Sequence, residues 1–172
     1  MALSKIKSES LDLTDNYDFT GTVTGAGGGK LLQVVNSDFS THGNFNQDTN
    51  VSIGSINITP SATSSKILLM SKGRVENYDY SSGDDMNQSC LLIFFRTISG
   101  GSESQLFVAR HNESAAGTSY RRLGPHISSH YVDSPNTTSQ ITYTLKVHVT
   151  TQDTRQGYSA ESGLVAIEIG AW

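Results

Sequence analysis

Eight side chains stand out for the contacts they can make: Phe39, His42, Phe45, Tyr78, Tyr80, His111, Arg155 and Tyr158. Aromatic rings offer flat faces to sugars or apolar side chains, and Tyr, His and Arg add hydrogen-bond donors. The chemistry they suggest is recognition of a glycan or protein surface. Other residues point toward metals. Asp79, Asp84 and Asp85 crowd one segment with Tyr78 and Tyr80, and hard oxygens of that kind bind calcium. Their spacing matches no calcium loop, so they read as a solvated turn. His126 and His130 are four apart. On a strand they share a face about 13 Å apart, too far for one zinc ion within one chain. No metal or cofactor is expected.

Catalysis and nucleotide binding find no support. There is no Gly-x-Ser-x-Gly nucleophile elbow. Ser4-Lys5-Ile6-Lys7 fits Ser-x-x-Lys but lies in a polar segment with no pocket-forming residues around it. Neither Asp153 with Glu161 nor Asp84 with Asp85 is singled out as an acid–base pair. Gly25-Ala26-Gly27-Gly28-Gly29-Lys30-Leu31 superficially resembles a phosphate loop. That loop needs a glycine where Thr24 stands and a Ser or Thr where Leu31 stands. The glycines therefore read as a hinge.

The elements that must position these residues are strands. Eight are expected, at about 31–36, 51–58, 66–77, 89–98, 104–110, 120–132, 139–150 and 163–170. The clearest runs from Ile141 to Val149, where apolar and polar residues alternate strictly. Short strands at regular spacing point to an all-β, antiparallel eight-stranded jelly roll or β-sandwich. In such a traversal successive connections alternate between the two ends. The long connections, 37–50, 78–88, 111–119 and 151–162, then share one end. The short ones, 59–65, 99–103 and 133–138, share the other with both termini. The candidate contact residues all fall in the long connections.

One strand departs from alternation. Leu91, Leu92, Ile93, Phe94 and Phe95 are apolar at both parities, and a strand apolar on both faces is covered on both. A second subunit, or the polar segment ahead of the glycines, is the expected cover; a subunit there makes Leu91, Ile93, Phe95 and the aromatic Trp172 candidate contacts of a homotrimer.

Composition limits the partners. The 172 residues carry a net charge of -4, and hydrophobic residues make up 35%. That balance lacks the basic footprint of a nucleic-acid binder. The single cysteine, Cys90, rules out a disulfide within the chain and reads as a small buried hydrophobe. No apolar run approaches the length of a membrane span, and the first residues lack a signal-peptide core, so the chain is expected to be made in a cytoplasm without membrane insertion.

Residues 4–25, Ser-Lys-Ile-Lys-Ser-Glu-Ser through Phe19-Thr20-Gly21-Thr22-Val23-Thr24-Gly25, resemble the N-terminal segment of small bacteriophage fibre proteins, particularly those of marine hosts. The resemblance implies an attachment arm, residues 1–29 with the glycine hinge, ahead of a head, residues 30–172. The arm would fasten through residues 1–25 to other tail or capsid proteins of the virion. The head would meet a glycan or protein on the host surface. An eight-stranded trimer also resembles tumour-necrosis-factor-like heads, whose inner sheet faces a threefold axis. The expectation is thus a tail fibre or receptor-binding protein without enzymatic activity. A capsid head fibre or decoration protein is the alternative, and a polysaccharide depolymerase is a third.

Overall fold

The computed structural model describes residues 30–39, 49–79, 86–115, 121–123, 126–149, 155–159 and 162–170; for 74–79, 86–88, 113–115, 121–123, 149 and 155–159 the description is of backbone pairing alone. The expected arm, along with His42, Phe45, Tyr80 and Trp172, lies outside the described residues.

The described chain is all-β and antiparallel. Its strands are β1 (Leu31–Phe39), β2 (Val51–Ile58), β3 (Lys66–Asp79), β4 (Met86–Ile98), β5 (Ser104–Ala115), β6 (Arg121–Leu123), β7 (His126–Asp133), β8 (Ile141–Val149), β9 (Arg155–Ser159) and β10 (Ser162–Ile169). One sheet runs β1–β10–β3–β7 and the other β2–β8–β4–β5. The chain crosses between sheets at most connections, which is the double Greek key of a jelly roll.

The eight expected strands are all present, and two short ones are added. The stretch read as a single strand over 120–132 holds two described strands, β6 and β7. β9 forms inside the stretch read as the connection 151–162. Both additions pair with the far half of β3: β6 with Asn77–Asp79, and β9 with Val75, Asn77 and Tyr78.

The core lies between the sheets. Ile67, Leu69, Leu164 and Ala166 project from one, and Leu92, Phe94, Ile141, Tyr143, Leu145 and Val147 from the other. The alternation of β8 is realised directly: Ile141, Tyr143, Leu145 and Val147 are buried while Thr142, Thr144, Lys146 and His148 face outward, partly exposed. Cys90 is fully buried.

Strand register fixes the two ends. Phe39 pairs with Ser162, Val51 with Val147, Asp79 with Arg121, Met86 with Ala115 and Val149 with Cys90. The strands that bracket the four long connections therefore all terminate at one end. Leu31 pairs with Ile169, Ile58 with Ile141, Ile67 with Asp133 and Arg96 with Ser104. The three short turns lie at that opposite end. Lys30, where the arm would begin, is there too, and its carbonyl accepts a 2.8 Å bond from the Gly170 amide.

Candidate functional site

The short-turn end is closed by two buried carboxylates. Asp133 ends β7 in one sheet. Arg96 on β4 donates to it at 2.9 and 3.0 Å, and the Tyr143 hydroxyl on β8 donates at 2.7 Å. The cluster ties the two sheets together. Burial pushes the Tyr143 phenol far above its ordinary pKa, and the Asp133 carboxylate beside it adds to that rise. Glu168 on β10 is fully buried. It accepts bonds from Gln33 Nε2 at 2.5 Å, the Ser61 amide at 2.6 Å and the Ser61 hydroxyl at 3.2 Å. Burial alone would raise its pKa; the dipoles of Ser65, Gln33 and Ser61 outweigh burial and hold the carboxyl below its usual range. Both groups are satisfied by their own chain, so they are structural and offer nothing to a ligand.

The turns at this end are compact. Gly101 N bonds Ile98 O at 2.8 Å around Gly100, whose φ of 79° requires a residue without Cβ strain. Asn136 holds a φ of 53°, which asparagine tolerates better than most residues. Ser99 N reaches Gln140 O at 2.9 Å and links two of the turns. Pro60 and Pro135 are buried.

The long-connection end is built differently. β3 runs past the sandwich, and its far half is flanked by β6 on one edge and β9 on the other. Tyr78 pairs with Arg122 on one side and Arg155 on the other. The register thus sets Arg122, Tyr78 and Arg155 in one row across three strands. Asp79 pairs with Arg121 in the next row, and Tyr158 lies on the same short β9. Tyrosine and arginine are enriched among residues that dominate binding interfaces.

The expected contact residues divide accordingly. Tyr78, Arg155 and Tyr158 belong to this three-stranded extension rather than to loops. Arg121 and Arg122, visible in the sequence as an adjacent pair, join them through strand pairing, which no local pattern discloses. Phe39 and His111 behave otherwise. Phe39 ends β1, packs against the core and lies against Gly54, where any Cβ would collide with its ring. His111 lies in β5 opposite Cys90, with a buried Nε2 that has no hydrogen-bond partner. Both are half-buried in the strands that carry them.

The strand apolar on both faces also finds a different explanation. Leu92 and Phe94 enter the core. On the other face Ile93 is 3% exposed and Phe95 8% within the single chain. Lys146 pairs with Ile93, and its ammonium lies 4.3 Å from the centre of the Phe95 ring. Glu103 holds that ammonium at 2.5 Å. The lysine stem and its charge cover what a second subunit was expected to cover.

Among the described residues no group of three or more His, Cys, Asp and Glu side chains is placed to hold a metal ion. No described helix is long and apolar enough to cross a membrane.

No protein-family model matches the chain, and no curated protein matches it. Among solved structures it is similar to the VP2 subviral particle of infectious bursal disease virus, at 12% identity and a TM-score of 0.42, over 78% of this chain and 32% of that one. It is similar to the T13 particle of the same virus at 12% identity and 0.39, over 90% and 36%, and to its Gt strain at 13% and 0.33, over 98% and 47%. The chain spans from about a third to about half the length of these proteins. At these scores and identities the likeness is too loose to carry over any property of theirs.

Proposed function

We propose that the chain is a structural protein of a bacteriophage virion, a tail fibre or receptor-binding protein that contacts the host surface. The observation that carries this reading is the separation of the ends. The chain preceding Lys30 joins the short-turn end, and all four long connections leave from the opposite end. A protein anchored through residues 1–25 then presents the Arg122–Tyr78–Arg155 row and its surrounding connections outward. Jelly rolls serve both capsid and lectin domains, so the architecture suits a virion component that binds glycans. The resemblance of residues 4–25 to phage fibre proteins supports the same role.

The mechanism is multivalent binding without chemistry. Several copies on one particle raise avidity by orders of magnitude over a weak single contact. A homotrimer would supply three sites per head. Of its expected contacts Ile93 and Phe95 are covered within one chain and Leu91 is half-buried, so light scattering rather than that strand must set the copy number. A capsid head fibre or decoration protein shares the same polarity, and it differs in what the arm grips.

The test is adsorption of purified protein to a panel of bacteria. The double variant Tyr78→Ala with Arg155→Ala is compared with the wild type and with Ser99→Ala in a short turn. The reading expects the double variant to lose binding about thirtyfold, the effect of one hot-spot anchor, and the turn variant to keep it. Loss confined to the turn variant would refute it.

A further inference from the structure

The outer face of the β1–β10–β3–β7 sheet is apolar where a solvated face should be polar. Val34 pairs with Ile167, Ile167 with Leu68 and Leu68 with Val132, so four apolar residues stand in one row across all four strands. The adjacent row runs Asn36, Val165, Met70 and His130. Val34 and Val132 are each 52% exposed, Met70 46% and Leu32 42%. The next row toward the long connections is polar and closes the patch: Asp38, Gly163, Lys72 and Ser128, with Lys72 Nζ 3.2 Å from Asp38. An antiparallel sheet with one solvated face normally shows polar residues there. A contiguous apolar exception marks a covered surface.

We propose that residues 17–23 of the same chain cover this face as an extended segment, with Tyr17, Phe19 and Val23 against the sheet. Three observations select this occupant. The segment alternates as such a strand must: Tyr17, Phe19, Gly21 and Val23 share one parity, and Asp18, Thr20 and Thr22 share the other. The link is long enough. Seven residues, 24–30, separate Val23 from Leu31 on the edge strand β1, and four of them are glycine. They reach up to about 24 Å, whereas crossing from β1 to β7 takes three strand spacings, about 14 Å. Size is the third. Two rows across four strands cover a few hundred Å², well under the roughly 800 Å² per partner of a stable protein–protein interface. A short strand fits that footprint, and a second copy of the head does not. The arm would then hold residues 1–16 for the virion while 17–23 fasten its root to the head.

Thiol labelling of the full chain tests this. Met70→Cys places a reporter on the patch, and Val132→Cys reads the same face should the first variant fold poorly. Val108→Cys, on the other sheet, is the control. Cys90 is buried, so its labelling would report unfolding. The proposal expects maleimide to modify the patch thiol about tenfold faster once Phe19→Asp and Val23→Asp are added, as loss of a tethered contact requires, with Val108→Cys unchanged. Equal rates with and without the arm substitutions overturn it. Protection that falls on dilution and ignores those substitutions also overturns it, and assigns the face to a second copy. The readout is blind to the far end of the head, so it stands or falls apart from host binding.

Discussion

The two ends of the head solve opposite problems. At the short-turn end every buried charge is answered inside the chain: Arg96 and Tyr143 on Asp133, Gln33 and Ser61 on Glu168. At the long-connection end the strands outrun the sandwich, and β3 carries two short partners with arginine and tyrosine in register. Groups fully satisfied within a fold contribute to stability and have little left for a partner. The contrast therefore predicts where a substitution changes folding and where it changes binding.

The largest effect is expected at the junction of the sheets. Asp133→Ala strips the half-buried Arg96 guanidinium and the buried Tyr143 hydroxyl of their shared acceptor. Breaking a pair of this kind costs about 3–5 kcal/mol, and urea unfolding should show a midpoint shifted accordingly with unchanged binding by the folded fraction. Glu168→Ala is expected to cost about 2 kcal/mol, since the Ser61 amide and Gln33 lose a charged acceptor. Its pH dependence has a definite sign. The folded pKa lies below the unfolded one, so the stabilisation is complete above the ordinary carboxylate range near pH 4–5 and is lost as pH falls through the lower folded value. Unfolding curves of wild type and Glu168→Gln should converge as the pH is lowered through that window. A constant gap would mean that the carboxylate charge is not what Ser61 and Gln33 hold.

Gly54→Ala comes next, at about 1–2 kcal/mol, because a methyl group there must displace the Phe39 ring. It sharpens the comparison, since Phe39 lies at the long-connection end yet packs against the core. Smallest in stability is Tyr78→Ala with Arg155→Ala, expected to stay within about 0.5 kcal/mol of wild type. A large destabilisation there would make the three-stranded extension part of the fold's own stability and blur the distinction between the ends.

Much of this division was legible in the sequence. The alternation of Ile141 to Val149 defined β8, and counting strands placed the long connections together. Register confirms both. What stayed hidden depends on partners distant in sequence. β9 is five residues long and includes Gly157. Its pairing with the far half of β3 brings Arg155 to Tyr78, and nothing near residue 155 announces that. Lys146 covers Phe95 from another strand, so the apolar run 91–95 read as a subunit contact. Glu168 did carry a signal. It shares parity with Leu164 and Ala166, which face the core, and a carboxylate at that position must be buried with partners. Asp133 follows Tyr131 at the same parity and is recognisable in the same way.

The central claim, that the head meets its target with the end opposite the arm, is tested most directly by hydrogen exchange on protein bound to isolated host envelopes. The account predicts slowed exchange in β6, β9 and the far half of β3, with the turns at 59–65, 99–103 and 134–140 unchanged. Protection confined to those turns would contradict it.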